Sequence, residues 1–315
     1  MTNVLFTFNV KEYLIKQLQT EFPQVDFAFS TIKDVSSLSK AEIVVTYGED
    51  ISEETLDLAP SLKWLMVASA GLEKMPLSEI GKRNILVTNV KGIHKVPMAE
   101  SVMAHLLSLK RALPSIYSQQ KNHEWNRRTS STELFNSTAI VIGPGAIGSE
   151  IGRLLQAFGV RTIGCNRSGN QAPFMDDMIS FKELSDWLPN ADIVISVLPS
   201  TPETRCLLTY EHFVVMKQEG IFMNFGRGDL VKEHELVKAM NERQIAYAVL
   251  DVFESEPLRE NHPLWEIDGV IVSPHISSHS SEYVPRSLEI FKHNLHEWLE
   301  EGSDFQNVID VEKGY

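Results

Sequence analysis

A glycine-rich turn of the form G-x-G-x-x-G restricts the fold of this chain more than any other feature of its sequence. Before the turn lies Thr138–Ile142, a short apolar and β-branched run that predicts a buried strand. After it, apolar residues recur at helical spacing, namely Ile147, Ile151, Leu154, Leu155 and Phe158. The glycines of the pattern, Gly143, Gly145 and Gly148, therefore lie where a strand turns into a helix.

A turn of this kind has the parts needed to hold the pyrophosphate of a dinucleotide. The first glycine permits the tight turn, the second lets a pyrophosphate approach the backbone, and the third lets helix and strand pack closely. The helix N-terminus adds free N–H groups and the positive end of its dipole. The same pattern also occurs in plain structural turns. A second strand-like run, Val160–Cys165, completes a strand–helix–strand unit here and favours dinucleotide binding.

Length, charge and cysteine content limit the possible functions. The chain has 315 residues, which suits two domains with separate cores. Its formal net charge of -13 argues against nucleic acid and against an anionic membrane surface as partners, but not against a small anionic substrate. Cys165 and Cys206 lack metal-ligand spacing, so we expect no metal site and two buried free thiols. Without a basic leader or a membrane-length apolar run, the protein is expected to be soluble and cytoplasmic.

Two sets of strand-like runs predict two mainly parallel sheets, with helical or loop segments between the strands. The first set comprises residues 3–8, 25–29, 42–46, 62–67 and 85–88. The second set comprises residues 138–142, 160–165, 192–198, 220–224, 246–251 and 270–273. The first set predicts a small flavodoxin-like α/β unit. The second, with the glycine turn after its first strand, predicts a doubly wound, Rossmann-type sheet.

Two longer helical patterns indicate how the chain divides. Pro97 opens a predicted helix that continues to about Tyr117. This helix either bridges two domains or lies on the surface as an ordinary helix. An amphipathic helix over residues 281–300 is expected to return and cover the first unit. The expected substrate and cofactor domains comprise residues 1–98 with 283–315 and residues 99–282, respectively.

Polar side chains follow the ends of three predicted strands, where open α/β sheets place their ligands. They offer the arginine of Asn224–Asp229, a carboxylate of Asp251–Pro257 and the histidine of Ser273–Ser277. Arginine clamps a carboxylate bidentately and polarises a carbonyl, and histidine, which titrates near neutrality, donates a proton as hydride arrives. A carboxylate on the other ring nitrogen holds the tautomer. Each residue alone is more often structural, but together the trio suits reduction of a 2-oxo acid.

Along nearly its whole length the chain resembles the D-isomer-specific 2-hydroxyacid dehydrogenase family. The matching segments are Gly143–Gly148, Leu198–Thr204, Asn224–Leu230, Asp251–Pro257, Pro274–Ser277 and Asn307–Asp310. The resemblance implies that Arg227, Glu256 and His275 are catalytic and that Asp251 supports the nicotinamide carboxamide. The chain departs from many relatives at Ser277 and Ser278, where glycines are usual, and this puts the pocket wall beside the histidine in doubt.

The glycine turn and the resemblance together give the expected cofactor-binding residues. These are Gly143, Pro144, Gly145, Ala146, Ile147, Gly148, Asn166, Arg167, Ser168, Leu198, Pro199, Thr204, Asn224, Phe225, Gly226, Asp251 and His275. NAD-using relatives usually end the second strand with an acidic residue that binds the ribose hydroxyls, whereas this chain has Arg167 there. Because an arginine attracts a 2′-phosphate, we expect NADP(H) rather than NAD(H). NAD(H) remains possible if Arg167 only stacks on adenine.

The expected substrate is a small 2-oxo or 2-hydroxy acid. The residues expected to bind it are Tyr47, Gly48, Ser69, Ala70, Gly71, Arg227 and His275. In the family, a loop with a central glycine binds the substrate carboxylate through backbone N–H groups, and Ser69–Gly71 matches it. Glyoxylate, hydroxypyruvate and a branched 2-oxo acid stay open. Phosphoglycerate dehydrogenase is the rival function: the acidic Tyr47–Asp50 segment disfavours a phosphorylated substrate, while Lys74, Lys91 and Lys95 keep it open.

The resemblance leaves one further class of function open and implies that the protein forms a homodimer. Some proteins of this fold family sense a cofactor in transcriptional repression, and an intact Arg–Glu–His trio does not exclude that role. The chain lacks tails and linkers for partner motifs, which favours an enzyme. Relatives pair as homodimers through the region that matches the helix after Pro97 and the segment Asn122–Asn126. Trp125 either anchors such an interface or packs within its own subunit.

Overall fold

The computed structural model describes residues 1–69, 72 and 75–311 of the chain. The chain forms two compact units, one made of Met1–Ile93 with Ser280–Tyr315 and the other of His94–His279. Each unit contains one sheet in which all strand pairs are parallel. Among the helices of the described residues, none has both the length and the apolar character needed to cross a membrane.

The first unit contains a five-stranded sheet in the order β2-β1-β3-β4-β5. Its strands are β1 (Thr2–Phe6), β2 (Val25–Phe29), β3 (Ile43–Thr46), β4 (Trp64–Val67) and β5 (Leu86–Asn89). Its helices are α1 (Glu12–Glu21), α2 (Val35–Leu38), α3 (Glu53–Asp57), α4 (Leu77–Lys82) and, at its end, α11 (Tyr283–Leu299). The strand order is the flavodoxin-like arrangement expected from the sequence. Every residue of β3 and β4 is buried, as in a sheet covered on both faces.

Helix α11 contributes to the core of the first unit. Its residues Leu288, Phe291 and Leu295 are buried and recur at helical spacing. The ring of Phe291 lies 5.2 Å from that of Phe6 in an edge contact, and 5.7 Å from the Trp64 ring in a stacked one. The amphipathic pattern at residues 281–300 therefore corresponds to a helix whose apolar face is buried in this core.

The second unit contains a seven-stranded sheet in the order β12-β11-β10-β9-β6-β7-β8. Its strands are β6 (Thr138–Ile142), β7 (Arg161–Asn166), β8 (Asp177–Ser180), β9 (Ile193–Ser196), β10 (Ile221–Asn224), β11 (Tyr247–Leu250) and β12 (Val270–Val272). Its helices are α5 (Lys95–Lys110), α6 (Leu113–Lys121), α7 (Ala146–Ala157), α8 (Leu184–Trp187), α9 (Tyr210–Val215) and α10 (Glu233–Asn241). From β6 the strands follow one another through β7 to β8 at one edge of the sheet, and from β9 they follow through β10 and β11 to β12 at the other edge. This is the Rossmann arrangement, with its ligand-binding point beside β6.

Two details of the second unit correct the sequence-based expectations. Strand β8 was not predicted, because it is a short edge strand in which only Ile179 is buried. The long helix expected from Pro97 to Tyr117 is broken into α5 and α6 at Ala112, whose φ is +54°. Pro114 explains the break, because it has no N–H to donate to the carbonyl of Lys110. Helix α5 packs its apolar side chains into the core of this unit.

The two cysteines differ in exposure, which corrects the expectation that both are buried. Cys165 lies in β7 and is buried, and burial raises the pKa of its thiol to about 12. Cys206 is exposed, in a turn where its backbone N–H donates to the carbonyl of Asp229 at 2.8 Å. The turn brings the Cys206 side chain to the surface, although its neighbours Thr204 and Leu208 are buried.

We therefore expect one thiol to react rapidly with a disulfide reagent in the native protein and two to react after denaturation. The thiolate is the reactive species, and a buried thiol with a raised pKa forms little of it. The measurement is a thiol titration with and without denaturant. Cys206→Ser should abolish the rapid phase and Cys165→Ser should preserve it. Two rapid thiols in the native wild type would contradict the burial of Cys165.

Candidate functional site

The glycine turn joins β6 to α7. Gly143 has a φ of +93°, which favours glycine, and its carbonyl accepts the N–H of Gly145 at 2.8 Å. A Cβ on Gly148 would lie 2.4 Å from the Gly143 oxygen, so close packing of helix and strand requires glycine there. A Cβ on Gly145 would meet nothing within 4 Å. The backbone at the N-terminus of α7 is thus open to a ligand, and it fits a dinucleotide pyrophosphate.

Asn166 organises the turn at the end of β7. Its Oδ1 accepts the backbone N–H groups of Ser168 at 3.1 Å and Gly169 at 2.7 Å. Its Nδ2 donates to the carbonyl of Asn170 at 2.8 Å. The Asn166 amide, expected from the sequence to bind the cofactor, is therefore engaged largely in holding this turn. Arg167 is exposed on the same turn.

The loop after β9 lies against the glycine turn. Leu198 is buried, and its Cδ2 lies 3.0 Å from where a Cβ of Gly143 would be. Within the loop, the hydroxyl of Thr204 donates to the carbonyl of Pro199 at 2.6 Å and accepts the N–H of Thr201 at 2.8 Å. Thr204 thus holds the shape of this loop beside the expected cofactor site.

His275 and Glu256 form a direct pair. The Nδ1 of His275 lies 2.7 Å from one carboxylate oxygen of Glu256, and the other oxygen accepts the N–H of Phe253 at 3.0 Å. The carboxylate is therefore fixed at both oxygens. Because Nδ1 is occupied, Nε2 is the ring nitrogen left to exchange a proton. The His275 side chain is 48% exposed, so a substrate has access to it.

The buried carboxylate of Asp251 holds the loop that carries His275. One oxygen accepts the hydroxyl of Ser273 at 2.5 Å and the N–H of Ile276 at 3.1 Å. The other accepts the N–H of Ser277 at 3.2 Å. These bonds support a backbone in which His275 has a φ of +54°, a conformation that a histidine seldom adopts. We call residues 273–277 the histidine loop.

Asn224 shapes the turn that carries Arg227. Its Nδ2 donates to the carbonyl of Arg227 at 2.9 Å, and its Oδ1 accepts the N–H of Gly226 at 3.1 Å. The exposed Arg227 guanidinium donates to the Gly226 carbonyl at 2.9 Å. Phe225, expected to bind cofactor, has its side chain buried in the core, so a contact there would come from its backbone.

Two residues of α5 that the sequence reasoning missed also reach this region. The hydroxyl of Ser101 donates to the carbonyl of Ser277 at 3.3 Å, and this hydrogen bond joins α5 to the histidine loop. One turn later, the His105 ring lies 6.0 Å from that of Phe225. Burial lowers the pKa of His105, and the charge of Asp251 opposes that effect. The available sequence signal was the i, i+4 spacing of Ser101 and His105, which places both on one face of the helix.

Three of the residues expected to bind substrate, Tyr47, Gly48 and Ser69, follow strands of the first unit's sheet. Strands β3 and β4 are parallel neighbours, so the segments after them begin at the same edge. The N–H of Gly48 donates to the Thr46 hydroxyl at 3.0 Å, and that hydroxyl donates to Asp50. Ser69 follows β4. Ala70–Gly71, assigned with Ser69, lies outside the described residues.

Comparisons with known proteins agree on one family. The model for the NAD binding domain of D-isomer specific 2-hydroxyacid dehydrogenases matches residues 103–277. A glyoxylate reductase of Pyrococcus horikoshii is 30% identical over 92% of this chain and 92% of its own. A solved structure of a D-isomer specific 2-hydroxyacid dehydrogenase family protein from Aeromonas salmonicida is 30% identical, with a TM-score of 0.87. That alignment covers 98% of this chain and 99% of the other.

The same comparisons include a longer relative with a different name. A D-3-phosphoglycerate dehydrogenase of Methanocaldococcus jannaschii is 29% identical over 99% of this chain. The chain spans only 60% of the length of that relative. Other solved neighbours, which share 22–25% of the sequence, contain NADP, NADPH or NAD. The neighbours thus include both forms of the cofactor.

Proposed function

The chain belongs to the D-isomer-specific 2-hydroxyacid dehydrogenase family, and from that premise we propose that it is a 2-oxo acid reductase. Its product would be the corresponding D-2-hydroxy acid. The observation that carries the proposal is the 2.7 Å contact between His275 and Glu256, on a loop held by the buried Asp251. A histidine oriented by a carboxylate through one ring nitrogen is suited to deliver a proton from the other.

Each residue of the trio has a separate task in this reaction. The bound nicotinamide would supply hydride to the substrate's second carbon. His275 donates a proton to the oxygen of the same carbonyl, which becomes the hydroxyl. Glu256 stabilises the imidazolium before the transfer and keeps Nδ1 protonated after it. Arg227, by its planar charged fork, binds the substrate carboxylate.

NADPH is the cofactor we propose, held by the glycine turn and the end of β7. The N-terminus of α7 would receive the pyrophosphate in the open space in front of Gly145. The exposed Arg167 would pair with the 2′-phosphate. Ser168 offers a hydroxyl beside it. NADH remains the alternative, since Arg167 stacking on adenine would serve both nucleotides.

The direct test is turnover of the purified protein on glyoxylate, hydroxypyruvate, 2-oxoisocaproate and 3-phosphohydroxypyruvate, with NADPH and with NADH. Loss of reduced-nicotinamide absorbance measures the rate. We expect turnover on at least one unphosphorylated 2-oxo acid. Preference for 3-phosphohydroxypyruvate would favour the phosphoglycerate dehydrogenase function suggested by the M. jannaschii relative. Nucleotide binding without any turnover would favour a cofactor-sensing protein instead.

We propose a homodimer and a cytoplasmic location as well. Helix α6 has no buried residue, and Ile116 and Tyr117 on it are 43% and 56% exposed. Trp125 is 92% exposed, which argues against the alternative that it packs within its own subunit. Exposed aromatic and aliphatic side chains grouped along one segment are typical of an interface with another protein. The free thiols of Cys165 and Cys206 fit a reducing compartment.

Replacing Trp125 is expected to weaken this dimer. Trp125→Ser removes a large aromatic side chain of the kind that anchors interfaces, so the dimer Kd should rise about tenfold. Tyr13→Ser is the matched control, since Tyr13 is 51% exposed on α1 of the first unit. Light scattering across a dilution series gives the Kd. A wild type of only 35.6 kDa at micromolar concentration would contradict the dimer.

A further inference from the structure

Two segments of the second unit, one expected to contact the cofactor and one carrying Arg227, pack against each other. We call residues 198–207, which follow β9, the cofactor loop, and residues 225–229, which follow β10, the arginine turn. Strands β9 and β10 are parallel neighbours, so both segments begin at the same edge of the sheet. A Cβ on Gly226 would lie 2.4 Å from the carbonyl oxygen of Leu198. The backbones of the two segments are therefore in close contact immediately before Arg227.

A cluster of Ser200, Arg205 and Asp229, which we call the polar bridge, joins the same two segments after Arg227. The hydroxyl of Ser200 donates to the Asp229 carboxylate at 2.5 Å, and the Arg205 guanidinium donates to that hydroxyl at 3.1 Å. Arg205 also forms an ion pair with Asp229, at 3.3 Å. The backbone N–H of Cys206 donates to the carbonyl of Asp229 at 2.8 Å. The arginine turn is thus attached to the cofactor loop on both sides of Arg227.

The polar bridge is partly exposed, so its strength depends on how firmly the cofactor loop is held. The Arg205 side chain is 63% exposed and that of Asp229 is 37% exposed. Ion pairs of this kind contribute little by themselves, because solvent screens the charges and both side chains lose freedom. A nucleotide bound against Pro199 and Thr204 would restrict the loop in advance and reduce the entropy lost when the bridge forms. The bridge, once formed, holds the segment that carries Arg227.

We propose, on the basis of the proposed function, that the polar bridge positions Arg227 and makes that position depend on the bound cofactor. A cofactor on the cofactor loop favours the bridged arrangement, in which Arg227 is placed for the substrate carboxylate. Ser200, Arg205 and Asp229 are positioning residues, since they act through Arg227 and not on the substrate. Because linkage between two binding sites is reciprocal, a carboxylate held by Arg227 tightens cofactor binding by the same factor.

The test measures the Kd of NADPH or NADH, whichever gives the faster turnover, by nucleotide fluorescence with and without oxamate. Oxamate has a carboxylate beside an amide carbonyl, as a 2-oxo acid has beside its ketone, but the nicotinamide does not reduce it. In the wild type, saturating oxamate should lower the nucleotide Kd by at least about tenfold, within the range typical of coupled sites. In Asp229→Ala this factor should fall about tenfold, because hydrogen bonds to a charged group are lost. The Kd without oxamate should be unchanged.

Asp177→Ala is the matched control for this measurement. Asp177 begins the edge strand β8 of the same unit and pairs with Arg161 at 2.7 Å. Its side chain is 39% exposed, close to the value for Asp229, so this variant removes a similar ion pair away from the arginine turn. It should retain the full effect of oxamate. If Asp229→Ala does not fold, Arg205→Met tests the bridge from its more exposed side and should also reduce the effect.

The outcomes separate this inference from the proposed function. Turnover of a 2-oxo acid with the same oxamate effect in wild type and Asp229→Ala overturns the role of the bridge and leaves the reductase intact. A wild type that reduces a 2-oxo acid but binds nucleotide equally with and without oxamate does the same. Equal loss of the effect in Asp177→Ala assigns it to general destabilisation and also overturns the inference. No turnover on any 2-oxo acid overturns both.

Discussion

Replacement of His275 by alanine is expected to lower kcat for 2-oxo acid reduction by about 10²–10⁴, the range typical of losing a general acid. The reason is the pairing of its Nδ1 with Glu256 at 2.7 Å, which leaves Nε2 as the nitrogen that we propose donates the proton. Nucleotide binding should survive, because the bonds to Asp251 involve the backbone and Ser273 rather than the imidazole. Steady-state kinetics and a separate measurement of the NADPH Kd distinguish the two effects.

Two further variants serve as controls for this result. His275→Asn removes the imidazole, yet asparagine tolerates the left-handed backbone of this position better than alanine. A similar loss in both variants would assign the effect to the imidazole. Glu256→Gln should leave a working enzyme. Its neutral amide can still accept a hydrogen bond from Nδ1 but lacks the charge that stabilises the imidazolium, so kcat should be lower than in the wild type. Near-normal turnover by His275→Ala would contradict the mechanism.

Much of the fold could be predicted because buried parallel strands produce continuous apolar runs. Strands β6, β9 and β10, which lie inside the second sheet, have nearly every residue buried, and the sequence reasoning located all of them. Strand β8 lies at the edge with one buried residue, so its sequence carries almost no such pattern. The break at Ala112 did have a signal, since Pro114 interrupts the helical pattern.

The candidate site was predictable where a local motif carries the chemistry, and not where remote segments meet. The residues of the glycine turn are predicted from one short segment of sequence. The close packing of helix and strand at Gly148 is the geometry that this motif requires. The contacts of Asp251 with Ser273 and the bond from Ser101 to Ser277 join segments 22 and 176 residues apart. Only the folded chain brings such groups together, so single-sequence patterns do not reveal them.

Replacement of Arg167 by alanine is expected to remove most of the preference for NADPH. A charge-assisted hydrogen bond contributes about 1.5–3 kcal/mol, and about 1.4 kcal/mol corresponds to tenfold. The wild type should therefore prefer NADPH by roughly ten- to a hundredfold in kcat/KM, and Arg167→Ala should bring the ratio near one. Arg161→Ala is the matched control, because Arg161 begins the same strand β7 at its opposite end, where it pairs with Asp177.

Two further measurements distinguish a contact between Arg167 and the 2′-phosphate from stacking of the Arg167 guanidinium on adenine. The pKa of Glu203 is lowered by hydrogen bonds to its own backbone and to Thr201, and to a smaller extent by the charge of Arg167. This carboxylate is therefore ionised near the site. Glu203→Gln should strengthen NADPH binding if Arg167 meets a phosphate, because a like charge is removed. Added salt should reduce the NADPH preference for the same reason. A stacked guanidinium would serve both nucleotides equally. Equal use of both by the wild type, or a ratio unchanged in Arg167→Ala, would exclude the phosphate contact.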